Sequence, residues 1–177
     1  QDIETGVFYW ATINSNSLTK SFKFKMPHLD ETNRPFTFLF YADVDMGIMS
    51  KATYTYFKEE LKDDSIDDFT ILGGDIAYEL WDDGGQKGDD FLEAWEPFMT
   101  TRPMIFTPGN HDAYANYSLI GYRMRMPLYN ETRNLYYSFD VGPVHFVVFA
   151  LDFYDRANPT LAKQMFDWIE KDLAAAN

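Results

Sequence analysis

Three short apolar runs, Phe36 to Ala42, Phe69 to Leu72 and Met104 to Thr107, each stop abruptly at a small polar cluster. Apolar runs of this length without alternation suit strands buried on both faces, the habit of parallel sheets covered by helices. Helical spacing fills the gaps, with Tyr54, Phe57 and Leu61 in one and Phe91, Trp95 and Phe98 in the other. The order strand, helix, strand, helix, strand predicts βαβ crossovers and a largely parallel sheet. Open α/β sheets hold ligands at the carboxyl ends of their strands, so the three clusters are predicted to converge. They are Asp43-Val44-Asp45-Met46-Gly47, Gly74-Asp75-Ile76-Ala77-Tyr78 and Gly109-Asn110-His111-Asp112.

The flanks follow other rhythms. Val7, Tyr9 and Ala11, then Phe22, Phe24 and Met26, alternate with polar residues about an Asn-Ser-Asn-Ser turn, which predicts the last two strands of a β-domain over residues 1–30. Pro27 to Pro35 is a polar linker bounded by prolines. Tyr136 to Phe139 and Val144 to Leu151 predict a hairpin turning at Gly142-Pro143. Leu161, Met165, Trp168, Ile169 and Leu173 line one face of a last helix. No strand follows to cover that helix, so the chain is expected to be a segment of something longer.

Composition excludes several functions. A net charge of −13 opposes a nucleic-acid partner, whose phosphates need a basic face. The same charge disfavours polyanionic substrates unless bound metal inverts the local field. With no Cys, thiol catalysis, zinc-thiolate sites and disulfides are absent. No apolar run reaches the roughly 20 residues that span a bilayer. Asn116-Tyr117-Ser118 and Asn130-Glu131-Thr132 are sequons, glycosylated if the protein is secreted.

The clusters offer carboxylates, a phenol, an amide and an imidazole, hard donors suited to Fe(III), Mn, Mg or Zn in oxygen-rich sites. Each has a plainer reading. An Asp after a strand is often a helix cap or turn residue, and Gly-Asp marks turns. Gly-Asn-His-Asp directly after a buried strand, downstream of Gly-Asp-x-x-Tyr at another strand end, is a much rarer conjunction. His28 and His145, in the linker and a strand, are expected to be structural.

An Asp motif, a Gly-Asp motif and a Gly-Asn-His-(Asp/Glu) motif in this order resemble the calcineurin-like metallophosphoesterases, and the Tyr three residues after the second Asp is the mark of the purple acid phosphatases among them. The chain is also similar to that family at Tyr136-Tyr137-Ser138, at Gly142-Pro143-Val144-His145-Phe146 and in the helix carrying Gln164, Phe166, Trp168 and Ile169. The resemblance implies an α/β fold, the four-layer αββα metallophosphoesterase sandwich. Residues 31–177 would form its N-terminal half, and residues 1–30 the end of a fibronectin-like β-sandwich domain. It implies an acid phosphatase for small phosphomonoesters, secreted or in a lysosome- or vacuole-like compartment, with Fe(III) and a divalent Zn, Mn or Fe ion.

By the same resemblance Asp75 bridges the two metals, Tyr78 binds Fe(III) as phenolate and Asn110 binds the divalent ion. The first carboxylate is Asp43 or Asp45: counting from the strand start favours Asp43, the Asp-Met-Gly string favours Asp45, and Asp43 is preferred. His111 would contact phosphate or act as general acid, and Asp112 would orient its imidazole. Three further ligands are histidines in the family, in Gly-His and Gly-His-x-His motifs that these residues do not contain. The segment alone is therefore expected to be inactive. Alternatives are a phosphodiesterase or nucleotidase of the same superfamily, or a non-catalytic relative.

Overall fold

The computed structural model describes residues 4, 6–15, 18–28, 35–47, 50–63, 68–113, 119–126, 134–151 and 158–176. Both sequons and residues 29–34 of the linker lie outside the described residues. The alternating N-terminal segments form an antiparallel hairpin of β1 (Phe8–Ser15) and β2 (Leu18–Lys25), in register from Phe8 opposite Lys25 to Ser15 opposite Leu18. It reaches the rest of the chain through the Lys20–Glu96 ion pair and a 2.8 Å bond from Lys25 N–H to the Thr101 carbonyl.

The three apolar runs become β3 (Phe38–Tyr41), β4 (Phe69–Gly73) and β5 (Met104–Thr107), parallel and in the order β3-β4-β5. β4 is central, with Phe69, Ile71 and Leu72 buried. β3 departs from the two-faced burial expected of it, because Phe38 and Phe40 are 40% and 66% exposed. Among the described residues it is an edge strand, paired with β4 on one side, and its apolar composition cannot show that.

Helices α1 (Lys51–Glu60) and α2 (Gln86–Met99) supply the crossovers and cover one face of the sheet. Their apolar spacing brings Phe57, Phe91, Trp95 and Phe98 inward. Trp95, 1% exposed, lies within 6 Å of the rings of Tyr41, Tyr54, Phe57, Phe91 and Phe98. Burying such a side chain contributes about 1.5–3 kcal/mol, so this cluster fixes β3 and its loop against both helices.

The other face of the sheet meets the hairpin of β6 (Tyr136–Val141) and β7 (Val144–Phe149). Phe139 and Phe146 stack at 5.0 Å and stand edge-on to Phe69 at 5.9 and 5.6 Å. The outward face of the hairpin carries α4 (Pro159–Ala175), with Tyr136 on Trp168 at 5.2 Å and Ser138 donating to Asp172 at 2.7 Å. Asn158 caps α4 by accepting from Leu161 N–H, and Pro159 opens the first turn. Only Ala162 and Met165 of α4 are buried, and Leu173 at the end of the predicted apolar face is 55% exposed. A short helix absent from the sequence reading, α3 (Ile120–Arg125), seats Tyr122, whose hydroxyl donates to the carbonyls of Phe106 and Asn134.

Candidate functional site

Parallel register makes the three strands end level. Tyr41 pairs with Leu72 and Gly73 with Thr107, so each chain leaves the sheet at the same height. The loops then stay together: Asp43 N–H donates to the Gly74 carbonyl at 3.1 Å, Ala77 N–H donates to the Val44 carbonyl at 2.8 Å, and Val44 bridges Ile76. Glycine permits the closest approach. A Cβ on Gly109 would stand 2.2 Å from Asp75 Oδ1 and 2.6 Å from Asp75 N, a space only hydrogen can occupy.

The loop backbones are strained. Asp43, Asp75, Ala77, Tyr78 and Glu79 have φ of 59°, 54°, 61°, 40° and 134°. Non-glycine residues in such conformations cost about 1–3 kcal/mol each and persist where the surroundings over-determine them, most often at functional sites.

The strain aims side chains at one another across the loops. The Tyr78 hydroxyl donates to Asp43 Oδ1 at 2.6 Å. That bond, followed by desolvation and the charges of Asp43, Asp75 and Asp45, pushes the phenol up to about 12. Asp75 Oδ1 accepts from His111 N–H at 3.0 Å, joining the second cluster to the third. Asn110 opens the 3-10 turn Asn110–Asp112 beside it. The two candidates of the first cluster part company. Asp43 meets the phenol, whereas Asp45 Oδ1 lies 3.4 Å from Lys87 Nζ, and Lys87 also donates to the Tyr78 carbonyl.

One side chain differs from the sequence expectation. Asp112 does not hold the imidazole: it is fully buried, and its carboxylate accepts from Gly109 N–H at 2.8 Å and from Ile76 N–H at 3.1 Å. Those amides would otherwise be orphaned where the Gly-Asp and Gly-Asn-His loops touch, so the carboxylate serves as a clasp between them. Burial drives its carboxyl up to about 7, against the backbone bonds that favour the charge. The imidazole partner is Glu79, with Nδ1 and Oε1 2.8 Å apart, and the bond raises the proton affinity of His111. Glu79 directly follows the Gly-Asp-x-x-Tyr string, and that adjacency was the only signal for it. His145 sits outside this site, held by Asp140 and Asp172.

Among the described residues no group of three or more His, Asp and Glu side chains is gathered tightly enough to hold an ion alone. What converges is mixed: carboxylates, a phenol and an amide. The family model of the calcineurin-like phosphoesterases matches residues 36–174, which takes in all three loops. The chain belongs to that family. Its relatives include acid phosphatases, purple acid phosphatases among them. It is 35% identical over 112 residues to acid phosphatase type 7 of Homo sapiens, covering 62% of this chain and 25% of that protein. To the probable purple acid phosphatase 20 of Arabidopsis thaliana it is 28% identical over 185 residues, covering 97% of this chain and 39% of that protein. Purple acid phosphatase 22 of Arabidopsis thaliana is 28% identical over 167 residues, covering 86% and 34%. The chain thus spans between a quarter and two fifths of the length of these relatives. No helix among the described residues of this metallophosphoesterase is long and apolar enough to cross a membrane.

Proposed function

We propose that the full-length protein is an acid phosphatase that hydrolyses small phosphate monoesters at a binuclear centre of Fe(III) and a divalent Zn, Mn or Fe ion. The observation that carries this reading is the 2.6 Å contact of the Tyr78 hydroxyl with Asp43, beside Asp75. A phenol packed among carboxylates gives up its proton only to a strong cation, and phenolate with carboxylates is a donor set for a hard trivalent ion, so the residues present fit the group. Asp43, Asp75 and Tyr78 are the ligands we assign to Fe(III), with Asp75 shared and Asn110 on the divalent ion. Asp43 is preferred to Asp45 because Asp45 is engaged by Lys87. The remaining ligands are assigned, by the family resemblance, to histidines outside these residues.

Bound, such ions polarise the phosphoryl oxygens and lower the pKa of water, which favours an acidic optimum. They also offset a net charge of −13 that would repel a phosphate monoester. His111, its backbone fixed on Asp75, gives the proton that the departing alcohol oxygen needs. Asp112 keeps the two loops in register. The layers described above, helices, sheet, hairpin and helix, support the αββα sandwich as the architecture of residues 31–177, with residues 1–30 the end of a β-sandwich domain. The compartment we assign is secreted or lysosome- or vacuole-like.

The test is spectroscopic and kinetic. Iron-loaded full-length protein should show a phenolate-to-Fe(III) charge-transfer band and hydrolyse monoesters in preference to diesters at acidic pH. Tyr78→Phe keeps the ring and should abolish the band. A colourless iron-loaded protein, or a band untouched by Tyr78→Phe, refutes the Fe(III) assignment, and diester preference at alkaline pH refutes the monoesterase reading.

A further inference from the structure

Lys87 stands in the first turn of α2, where the helix gains nothing from it. A cation at that end opposes the macrodipole, so helix stability does not account for the residue. Side chains in a helix slant toward its N-terminus, which carries the Lys87 ammonium past the end of α2 and over the loops at the strand ends. There it donates to the Tyr78 carbonyl and lies 3.4 Å from Asp45 Oδ1, with Asp82 Oδ2 at 4.0 Å. Three oxygens match the three donors of an ammonium. With its side chain 26% exposed, the lysine is a part-buried bridge between loops and not a free surface charge.

The two ends of the bridge show what it holds. Asp45 Oδ1 also accepts from Met46 N–H at 2.6 Å, and Asp45 N–H donates to Ser50 Oγ at 2.9 Å, so this carboxylate is folded into its own loop and turned to Lys87. At the other end, the peptide between Tyr78 and Glu79 is flanked by φ of 40° and 134°, a strained stretch that needs an external hold, and the ammonium is on its carbonyl. Asp43 is the carboxylate left to meet the Tyr78 hydroxyl at 2.6 Å. Two carboxylates this near in the chain compete for one hard cation, and charge alone does not choose between them.

We propose that Lys87 is a positioning residue that makes the choice: its ammonium retains Asp45 outside the metal centre and ties the first loop to the Tyr78 peptide, so that Asp43 and Tyr78 face the same ion. The proposal rests on the Fe(III) reading for the identity of that ion but not for the choice of carboxylate. Without the ammonium, Asp45 loses its counter-charge and is drawn to the metal as a further anionic ligand. A further carboxylate weakens iron as an electron acceptor, so the phenolate charge-transfer band moves to shorter wavelength. The Tyr78 peptide loses its hold at the same time, and the ion binds less tightly.

The experiment uses full-length protein, wild type against Lys87→Met, Lys87→Arg, Asp45→Asn and the double variant Lys87→Met/Asp45→Asn. Methionine keeps an unbranched stem and a good helix propensity while removing the charge. In iron-loaded Lys87→Met the band should move to shorter wavelength, and iron affinity, measured by competition with a chelator, should fall about 10–100-fold, the usual consequence of losing a group that orients ligands. Lys87→Arg, which keeps the charge and several donors, should hold the wild-type band. In Asp45→Asn, whose side chain cannot compete as an anion, adding Lys87→Met should leave the band in place. Crystal structures of the zinc-loaded protein should show Asp43 on the metal in wild type, and Asp45 joining or replacing it in Lys87→Met. A lysine that only stabilises the fold would lower the urea midpoint of the metal-depleted variant and leave the band position alone. An unmoved band in Lys87→Met, a shift of equal size in Lys87→Arg, a shift that persists in the Asp45→Asn background, or Asp45 on the metal in the wild-type zinc structure overturns the proposal. An iron-loaded wild type without the band refutes the Fe(III) reading instead, and the zinc structures then still decide which carboxylate Lys87 selects.

Discussion

Removing the buried Asp112 carboxylate should cost stability at acidic pH and much less at alkaline pH. Asp112→Ala leaves the half-buried Gly109 N–H and the fully buried Ile76 N–H, bonded at 2.8 and 3.1 Å in the native protein, without that acceptor. Each orphaned amide costs about 1–3 kcal/mol, so about 2–6 kcal/mol is at stake. Opposing this is relief from a buried charge. The Asp112 carboxyl is pushed by burial from 3.8 to about 7, which makes its ionised form costly to fold. A carboxyl raised in the folded state binds its proton more tightly there than in the unfolded chain. Its contribution to stability is full below pH 3.8 and is lost as pH rises through about 7. Linkage puts the change between about pH 5 and about pH 8 at about 2–3 kcal/mol. Wild type should therefore exceed Asp112→Ala in stability by that much more at the lower pH. The assay is urea unfolding of metal-depleted full-length protein at both pH values, with hydrogen exchange at Gly109 and Ile76 to localise the loss. A stability difference independent of pH, or larger at pH 8, would show that Asp112 is ionised and well solvated in the clasp.

Two further perturbations probe the neighbouring structure. Gly109→Ala places a methyl 2.2 Å from Asp75 Oδ1, so Asp75 must shift; metal content of the purified protein should fall sharply, and full retention would show that Asp75 is not needed for binding. His145 joins β7 to α4 by bonding Asp172 at 2.8 Å and Asp140 at 2.6 Å, and those bonds raise its proton affinity above the ordinary value of 6.5. That contribution is present below pH 6.5 and lost as pH rises through the raised value, so stability should decline as pH rises above 6.5. Asp172→Asn should flatten the decline, and parallel curves for variant and wild type would refute the clamp.

What the sequence by itself determined is what depends on neighbours along the chain. Strand and helix periods and the turn at Gly142 are local patterns, and the order of apolar runs and helices is enough to make β3, β4 and β5 parallel. The polar clusters at the strand ends were legible for the same reason, because each is a contiguous string. Tertiary structure decided which members of the clusters meet. Asp43 and Asp45, two residues apart, would share a face in an extended strand; they point to different partners because the chain turns at Asp43, whose φ is 59°, and only the lateral register of β3 on β4 sets Asp43 against Tyr78. His111 lies 32 residues from Glu79, and Asp112 lies 36 from Ile76; both pairings exist only because the loops leave the sheet level with each other. Whether β3 is covered on one face or two is likewise a property of its place at the sheet edge, where Phe40 stands exposed, and not of its residues.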